Sequence, residues 1–163
     1  MDNLLILGAG QYGVVVKEIA EAIGEFDELS FLDDNSPKAI DRIEECIKYS
    51  DKYSKAVVAI GNTEKRLELI RMLEYIGFNV VTLIHPLAYV SPSAIIEKGS
   101  FVEPMAVIHA GVKIGTGCII SAGTIINHDA IINDGCHLNC GTIVGASAVI
   151  KPGIKSDYGQ KLQ

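Results

Sequence analysis

The chain has 163 residues, of which 48% are hydrophobic and 21% charged, a length that suits one ordinary domain or two small ones. This composition is typical of a folded protein with a real core and excludes a disordered chain. The formal net charge of −6 and the lack of a Lys/Arg cluster argue against a nucleic-acid partner, since phosphate binding needs a basic face. No segment is typical of a secretory signal or a membrane-spanning helix, and the four cysteines form no CxxC pair, so we expect a cytoplasmic protein without membrane insertion.

Residues 1–84 alternate between predicted strands and predicted helices. The continuous apolar run at residues 4–7 is expected for a strand buried on both faces of a parallel sheet. The further predicted elements, in chain order, are a helix at residues 14–23, a strand at 29–32, a helix at 39–49, a strand at 56–60, a helix at 64–75 and a short strand at 80–81. This alternation predicts a Rossmann-like α/β half-domain over residues 1–84.

A glycine-rich turn lies between the first predicted strand and the first predicted helix. Its sequence, GAGQYG, contains Gly8, Gly10 and Gly13. Glycines let the backbone approach a phosphate, and the N-terminus of the following helix offers N–H groups and a partial positive charge. Asp33 follows Gly13 by 20 residues, where a carboxylate can accept a hydrogen bond from a ribose hydroxyl or a base N–H.

This turn has three interpretations. NAD binding normally needs two such half-domains, and only about 80 residues precede the repeats described next. A single half suits a mononucleotide, which favours a nucleotide-linked sugar over NAD. The third interpretation is that the glycines serve only the close packing of the helix on the strand. We expect residues 1–84 to bind a nucleotide-sugar.

Residues 88–154 repeat with a period of six. Every sixth residue is aliphatic, and the residue four positions later has a small or medium side chain. This pattern belongs to the left-handed parallel β-helix, in which each hexad forms one side of a triangular coil and three hexads complete it. We assign residues 85–163 to this second domain. The aliphatic positions are Val90, Ile96, Val102, Ile108, Ile114, Ile120, Ile126, Ile132, Leu138, Val144 and Ile150.

The middle residue of each strand triplet points outward in this fold, and most of these residues are apolar. A monomer would expose a large apolar surface, so the pattern predicts association, and proteins with this repeat usually form trimers. The pattern fails at Ser156, where an inward aliphatic residue is due, and the chain ends soon after. We therefore expect a C-terminally short β-helix that assembles as a homotrimer.

Two histidines of the repeat region are candidates for chemistry. His128 lies at a corner, and the residues 18 positions away, Ala110 and Ala146, are small enough to leave room for a substrate. His137 points outward from a strand across the prism, so the two histidines can meet only at a site shared between subunits. Acyl transfer needs a base that titrates near neutral pH, and Asp129 is placed to accept a hydrogen bond from His128. The alternative is that His128 is an exposed corner residue without a task.

Nearly the whole chain resembles the family of sialic-acid O-acetyltransferases and UDP-amino-sugar N-acetyltransferases. The segments that carry the resemblance are LILGAGQYGVVVKEIA, FLDDN, AIGNTEKR, LIHPLAYVSPSAIIEKGSFV and INHDAIINDGCHLNCGTIVGA. The resemblance implies an acetyl-CoA-dependent acetyltransferase, without a metal, that acts on the amino or hydroxyl group of a nucleotide-linked or free amino sugar. Members of the family usually continue for several more coils, so the alternative is a non-catalytic or truncated nucleotide-sugar-binding protein.

The resemblance also implies roles for particular residues. His128 matches the general base, Asp129 the acidic residue that raises its basicity, and His137 a contact to acetyl-CoA. The first domain would bind the nucleotide-sugar, and Gly61 and Asn62 match the family's substrate-binding positions less well than the others do. The expected substrate-binding residues are Gly8, Gly10, Gln11, Tyr12, Gly13, Asp33, Asp34, Gly61 and Asn62.

Overall fold

The structure, a computed structural model, describes residues 2–163. The chain forms two compact units, the first ending at Val81 and the second beginning at Thr82. This division lies three residues before the predicted boundary at residue 84. The difference arises because Leu83–Ile84 is a strand that pairs in parallel with Phe101–Val102 of the second unit.

The first unit is an α/β fold around a five-stranded parallel sheet, as the alternation of elements predicted. Its elements, in chain order, are β1 (Asp2–Leu7), α1 (Gln11–Ile23), β2 (Phe26–Leu32), β3 (Ala39–Asp41), a 3₁₀ segment (Ile43–Tyr49), β4 (Lys55–Val58), α2 (Thr63–Ile76) and β5 (Asn79–Val80). The strand order is β3-β2-β1-β4-β5, so the chain changes direction across the sheet between β1 and β4. In sheets of this kind, ligands bind beyond the carboxyl ends of the strands at such a switch point.

The central strand β1 explains the apolar run at the start of the sequence. Leu4, Leu5, Ile6 and Leu7 are fully buried. Leu5 and Leu7 belong to a core cluster with residues of α2 and the 3₁₀ segment, and α1 contacts β1 as well. Because successive side chains of a strand point to opposite faces, a strand between two helical layers needs an apolar residue at every position.

The predicted helix at residues 39–49 was wrong over its first part. Residues Ala39–Asp41 form the edge strand β3, with Ala39 opposite Phe31 and Asp41 opposite Leu32, and only Ile43–Tyr49 is helical. The Asp33 N–H also donates to the Asp41 carbonyl oxygen at 3.1 Å. The segment extends the sheet because its backbone gives hydrogen-bond partners to groups at the end of β2. If residues 39–41 were helical, those groups would have no partner.

The second unit is a left-handed parallel β-helix with three faces, which confirms the predicted fold class. Residues on neighbouring coils pair at a spacing of 18, for example Val107 with Ile125. The first face contains Leu83–Ile84, Phe101–Val102, Ile119–Ile120 and His137–Leu138; the second contains Tyr89–Val90, Val107–Ile108, Ile125–Ile126, Ile143–Val144 and Lys161–Leu162; the third contains Ile95–Ile96, Lys113–Ile114, Ile131–Ile132 and Val149–Ile150.

The corners between the faces follow the same period of six. The third residue of each corner from 99 to 159 adopts a left-handed conformation, with φ between +58° and +71°. Glycine is favoured there because it has no Cβ to clash with the following carbonyl. The residues at these positions are Gly99, Met105, Gly111, Gly117, Gly123, Asp129, Gly135, Gly141, Ser147, Gly153 and Gly159.

The expectation that the repeat pattern fails at Ser156 was wrong. Lys161–Leu162 pairs with Ile143–Val144, and Leu162 packs against the interior cluster. Ser156 itself is buried, and its hydroxyl oxygen lies 2.7 Å from Thr142 Oγ1 and accepts from the Asn139 N–H at 2.8 Å. A hydroxyl with two partners can replace an aliphatic side chain inside the prism because its polar atom is satisfied.

Outward residues differ between the faces. On the first face Leu83, Phe101 and Ile119 are buried within one chain. On the other two faces the large apolar residues are exposed; these are Tyr89, Ile95, Ile125, Ile131 and Val149. The apolar exposure expected from the sequence is therefore confined to two of the three faces. Neither α-helix within residues 2–163 is long and apolar enough to cross a membrane.

Candidate functional site

The glycine-rich turn is packed closely against its surroundings. Gly8 has a φ of +105°, and a Cβ there would lie 2.7 Å from the Ala59 carbonyl oxygen. A Cβ at Gly13 would overlap the carbonyl oxygen of Gly8. Both positions therefore require glycine. α1 begins at Gln11 without a side-chain cap or an acidic residue in its first turn, and the partial positive charge of a helix N-terminus favours an anion.

Asp33 joins this turn to the end of β2. Its Oδ2 accepts a hydrogen bond from the Ala9 N–H at 2.8 Å, and its Oδ1 accepts from the N–H groups of Asn35 and Ser36 at 2.9 Å each. These hydrogen bonds hold the pKa of Asp33 below its ordinary value, and the bond from Ala9 has the largest effect. Oδ2 thus positions the glycine-rich turn and Oδ1 positions the loop after β2, while the predicted contact of Asp33 with a ribose or a base stays a prediction.

Asp34 lines a groove of about 370 Å³ beside the carboxyl end of β2. Its Oδ1 accepts from the Ile43 N–H at 3.1 Å. Two basic residues, Arg42 and Lys65, contribute to the groove, and each forms an ion pair there. Arg42 Nη1 lies 3.1 Å from Glu44 Oε1, and Lys65 Nζ lies 3.1 Å from Glu68 Oε1. The groove is lined by Asp34, Asn35, Arg42, Ile43, Glu44, Lys65, Glu68, Leu69 and Met72.

Of the predicted substrate-binding residues, the groove contains Asp34 alone. Sequence reasoning missed Arg42 and Lys65 because both fall in predicted helices, where a basic residue is ordinarily a solvated surface residue. Lys65 lies within the AIGNTEKR segment, which was a signal in the sequence for that residue, whereas Arg42 follows the FLDDN segment only after six further residues.

Gly61 and Asn62 follow β4 and lie near the glycine-rich turn, since a Cβ at Gly8 would also meet Ile60 at 3.0 Å. Asn62 Oδ1 accepts from the Lys65 N–H at 2.9 Å and so caps α2. The fully buried Arg66 donates from Nη1 to the carbonyl oxygens of Ile60 and Gly61 at 2.9 and 3.0 Å. The first turn of α2 therefore determines the shape of this loop.

His128 and Asp129 form a pair at an exposed corner between the second and third faces. His128 Nδ1 and Asp129 Oδ2 are 2.9 Å apart, and the two side chains are 59% and 67% exposed. Because a carboxylate oxygen only accepts, the neutral imidazole carries its proton on Nδ1, which leaves the lone pair of Nε2 to take up a proton. This is the arrangement of a general base that a carboxylate orients.

The backbone of this corner is unusual. Asp129 has a φ of +59°, which few non-glycine residues adopt, and its N–H donates to the Ala110 carbonyl oxygen at 2.9 Å. On the other side, the Ser147 N–H donates to the His128 carbonyl oxygen at 2.9 Å. Bonds from the coils before and after thus hold the pair in place.

His137 lies apart from this pair, on the first face. Its Nε2 is 3.4 Å from Ser121 Oγ, and its backbone N–H donates to the Ile154 carbonyl oxygen at 2.8 Å. The structure therefore brings His128 and Asp129 together, and within one chain it leaves His137 on a different side of the prism.

The described residues 2–163 contain no group of three or more His, Cys, Asp or Glu side chains that could hold a metal ion. Cys118 and Cys136 are buried inside the prism on neighbouring coils, and the hydrogen bond with Cys118 lowers the pKa of the Cys136 thiol. Cys140 is exposed at a corner. The interior cysteines fill space in the core.

Comparisons with known proteins match both units. Residues 3–73 match the family model of the PglD N-terminal domain, and residues 93–128 match that of the bacterial transferase hexapeptide with six repeats. The UDP-N-acetylbacillosamine N-acetyltransferase of Bacillus subtilis (strain 168) is 32% identical over 115 residues, which cover 63% of this chain. The match spans about half, 51%, of that relative's length.

Solved structures match nearly the whole chain. The acetyltransferase domain of PglB from Neisseria gonorrhoeae FA1090, in complex with acetyl coenzyme A, is 32% identical with a TM-score of 0.79, covering 98% of this chain and 84% of that one. A histidine-to-asparagine mutant of perosamine N-acetyltransferase from Caulobacter crescentus, in complex with CoA and GDP-perosamine, is 25% identical with a TM-score of 0.80, covering 95% of this chain and 91% of that one.

Proposed function

Because the chain belongs to the hexapeptide-repeat family of sugar acetyltransferases that carry a PglD N-terminal domain, we propose that it transfers an acetyl group from acetyl-CoA to the amino group of a nucleotide-linked sugar. The names of the relatives, which are sugar N-acetyltransferases, support an amine over a hydroxyl as the acceptor. The observation that carries the proposal is the His128–Asp129 pair, with Nδ1 and Oδ2 2.9 Å apart on an exposed corner.

In the proposed reaction, His128 is the general base. The amine nitrogen forms a bond to the thioester carbonyl carbon, its proton passes to His128 Nε2, the carbon–sulfur bond breaks, and the sulfur leaves as CoA thiol after protonation. Asp129 keeps the imidazole in the tautomer that presents the Nε2 lone pair and stabilises the imidazolium that forms. Proton transfer to a positioned side chain contributes about 10²–10⁴-fold to such reactions.

The first unit binds the nucleotide part of the acceptor in this proposal. The N-terminus of α1, behind the turn that contains Gly8, Gly10, Gln11, Tyr12 and Gly13, suits a phosphate. Asp34 would accept hydrogen bonds from the base or ribose, and Lys65 would face the phosphate charge from the other wall of the groove. Asp33 and the loop of Gly61 and Asn62 hold these parts in position.

We also propose that three chains associate. The exposed apolar residues of the second and third faces support this, since a soluble monomer rarely exposes such a surface. In a trimer the corner of one chain lies against a face of its neighbour, which would bring His137 of one subunit to the acetyl-CoA used by His128 of another. Sedimentation should give about 52 kDa, three times the 17.5 kDa chain, and Val149→Asp should reduce it. A monomer of full activity would contradict the shared site.

A steady-state assay with acetyl-CoA and a panel of UDP- and GDP-linked amino sugars tests the activity. We expect His128→Ala to lower kcat by about 10²–10⁴-fold, since the acceptor loses its base. His85→Asn is the matched control, because His85 Nδ1 accepts from the Leu87 N–H at a different corner and asparagine can keep that bond. Full activity in His128→Ala would show that the base is assigned to the wrong residue.

Calorimetry separates the enzyme from the non-catalytic alternative. The wild-type protein should bind a nucleotide-sugar and acetyl-CoA, and Asp34→Asn should weaken the nucleotide-sugar about tenfold while acetyl-CoA binding stays unchanged. Binding of a nucleotide-sugar without acetyl-CoA binding would identify a nucleotide-sugar-binding protein and would overturn the proposed reaction.

A further inference from the structure

One column of corner residues runs through the coil that carries His128. Gly111, Asp129 and Ser147 are separated by 18 residues each and lie on successive coils, with φ values of +71°, +59° and +58°. On the preceding coil, Ser93 Oγ accepts a hydrogen bond from the Gly111 N–H at 3.1 Å. The backbone of Gly111 is therefore anchored from one side, and Asp129 lies on the other.

The Asp129 carboxylate occupies the space beside Gly111 where any other residue would have its Cβ. A Cβ built at Gly111 would overlap Asp129 Oδ1 and lie 3.4 Å from Asp129 Cγ. Oδ2 of the same carboxylate is the atom 2.9 Å from His128 Nδ1. The missing side chain at residue 111 thus lets the carboxylate fold back over the preceding coil, where it can hold the imidazole.

We propose that Gly111 is a positioning residue for the His128–Asp129 pair, which rests on the proposed role of His128 as the base. Substitution with alanine leaves the fold intact because the overlapping atom is the end of a side chain that can rotate away. This rotation moves Oδ2 from His128 Nδ1, and the imidazole loses the partner that selects its tautomer and orientation. We expect substrate binding to stay unchanged, since the atoms nearest to a Cβ at residue 111 all belong to Asp129.

The chain offers a matched control. Gly123 is also the third residue of a corner, with a φ of +69°, and the nearest atom to a Cβ built there is Gly141 N at 3.9 Å. Gly111→Ala and Gly123→Ala therefore impose the same left-handed backbone on alanine, and only Gly111→Ala displaces a carboxylate. Equal thermal midpoints for the two variants establish that the folds are equally affected.

The kinetic test uses these two variants and a second background. We expect Gly111→Ala to lower kcat about 10–100-fold, the usual effect of losing a group that orients a functional side chain, with KM within about twofold of wild type. Gly123→Ala should match the wild type. In an Asp129→Gly background, which removes the displaced side chain, Gly111→Ala should have no further effect. The same loss in that background would overturn the proposal.

A second measurement is independent of turnover. Nitrogen-15 NMR of the histidine rings, with His128 assigned from His128→Asn, reports which ring nitrogen carries the proton. At pH 8 the wild type and Gly123→Ala should carry it on Nδ1 of His128, and Gly111→Ala should show the mixture of an unrestrained imidazole. An unchanged tautomer in Gly111→Ala would refute the positioning role. A changed tautomer in a protein without acetyl transfer would instead leave that role standing and refute the proposed function.

Discussion

The substitution Asp33→Asn tests whether one carboxylate holds the glycine-rich turn against β2. Asparagine keeps the size of the side chain but converts one oxygen into an NH₂ group. If the remaining oxygen still accepts from Asn35 and Ser36, the NH₂ group faces the Ala9 N–H, which donates to Asp33 Oδ2 at 2.8 Å in the wild type. A hydrogen bond to a charged group contributes about 1.5–3 kcal/mol, so we expect the free energy of unfolding of the first unit to fall by about 2 kcal/mol.

Urea unfolding followed by circular dichroism at 222 nm measures this change, because both α-helices, α1 and α2, belong to the first unit. With a slope of about 1–2 kcal/mol per molar urea, the midpoint should fall by about 1–2 M at pH 7. Asp51→Asn is the control, since Asp51 is an exposed carboxylate outside the turn. It should leave the midpoint within about 0.3 M of wild type.

The pH dependence gives the sign of the effect. The backbone hydrogen bonds hold the pKa of Asp33 below its ordinary value of about 3.9, so its contribution to stability is complete above that pH and is lost as the pH falls through the lowered value. The difference between wild type and Asp33→Asn should therefore be constant from pH 7 to about pH 5 and shrink below about pH 4. Equal midpoints at pH 7, or a difference that grows toward low pH, would refute the clamp role of Asp33.

Three further substitutions, one of them with a matched control, test packing and hydrogen bonds. Gly13→Ala should cost about 3 kcal/mol in the same urea experiment, because its Cβ overlaps a carbonyl of the preceding loop, whereas Gly10→Ala, with open space around it, should cost less than about 1 kcal/mol; equal effects would contradict the overlap. Arg66→Met should lower the stability of the first unit by about 3 kcal/mol, since the carbonyl oxygens of Ile60 and Gly61 lose a fully buried donor, and an unchanged midpoint would refute this. Ser156→Val should speed amide hydrogen exchange in peptides covering residues 139–162, because the Asn139 N–H loses the Ser156 hydroxyl as its acceptor at a cost of about 1–2 kcal/mol, and unchanged exchange would show that the hydroxyl is dispensable.

The β-helix could be predicted because its period is local. A repeat of six residues decides which side chains point inward and which residues turn the corner, and the left-handed residues from 99 to 159 follow that period without exception. The first unit was predictable for a similar reason, since the apolar run at residues 4–7 already requires two covered faces. The two errors fell where local preference was weak. Ala39–Asp41 joined the sheet because the neighbouring strand needed partners, and Ser156 stayed inside because Thr142 and Asn139 could bond its hydroxyl.

Spacing and resemblance identified Asp33, His128 and Asp129 as candidates in the sequence, and their chemistry depended on the folded chain. Asp33 proved to accept three backbone hydrogen bonds, two across short turns and one from Ala9, 24 residues away. Asp129 lies against His128 in a geometry that the empty position at Gly111 permits. A sequence pattern indicates which residues are buried, which belong to a repeat and which lie in turns. Which group accepts each hydrogen bond depends on differences of a few tenths of an ångström in the distances between segments that meet only after folding.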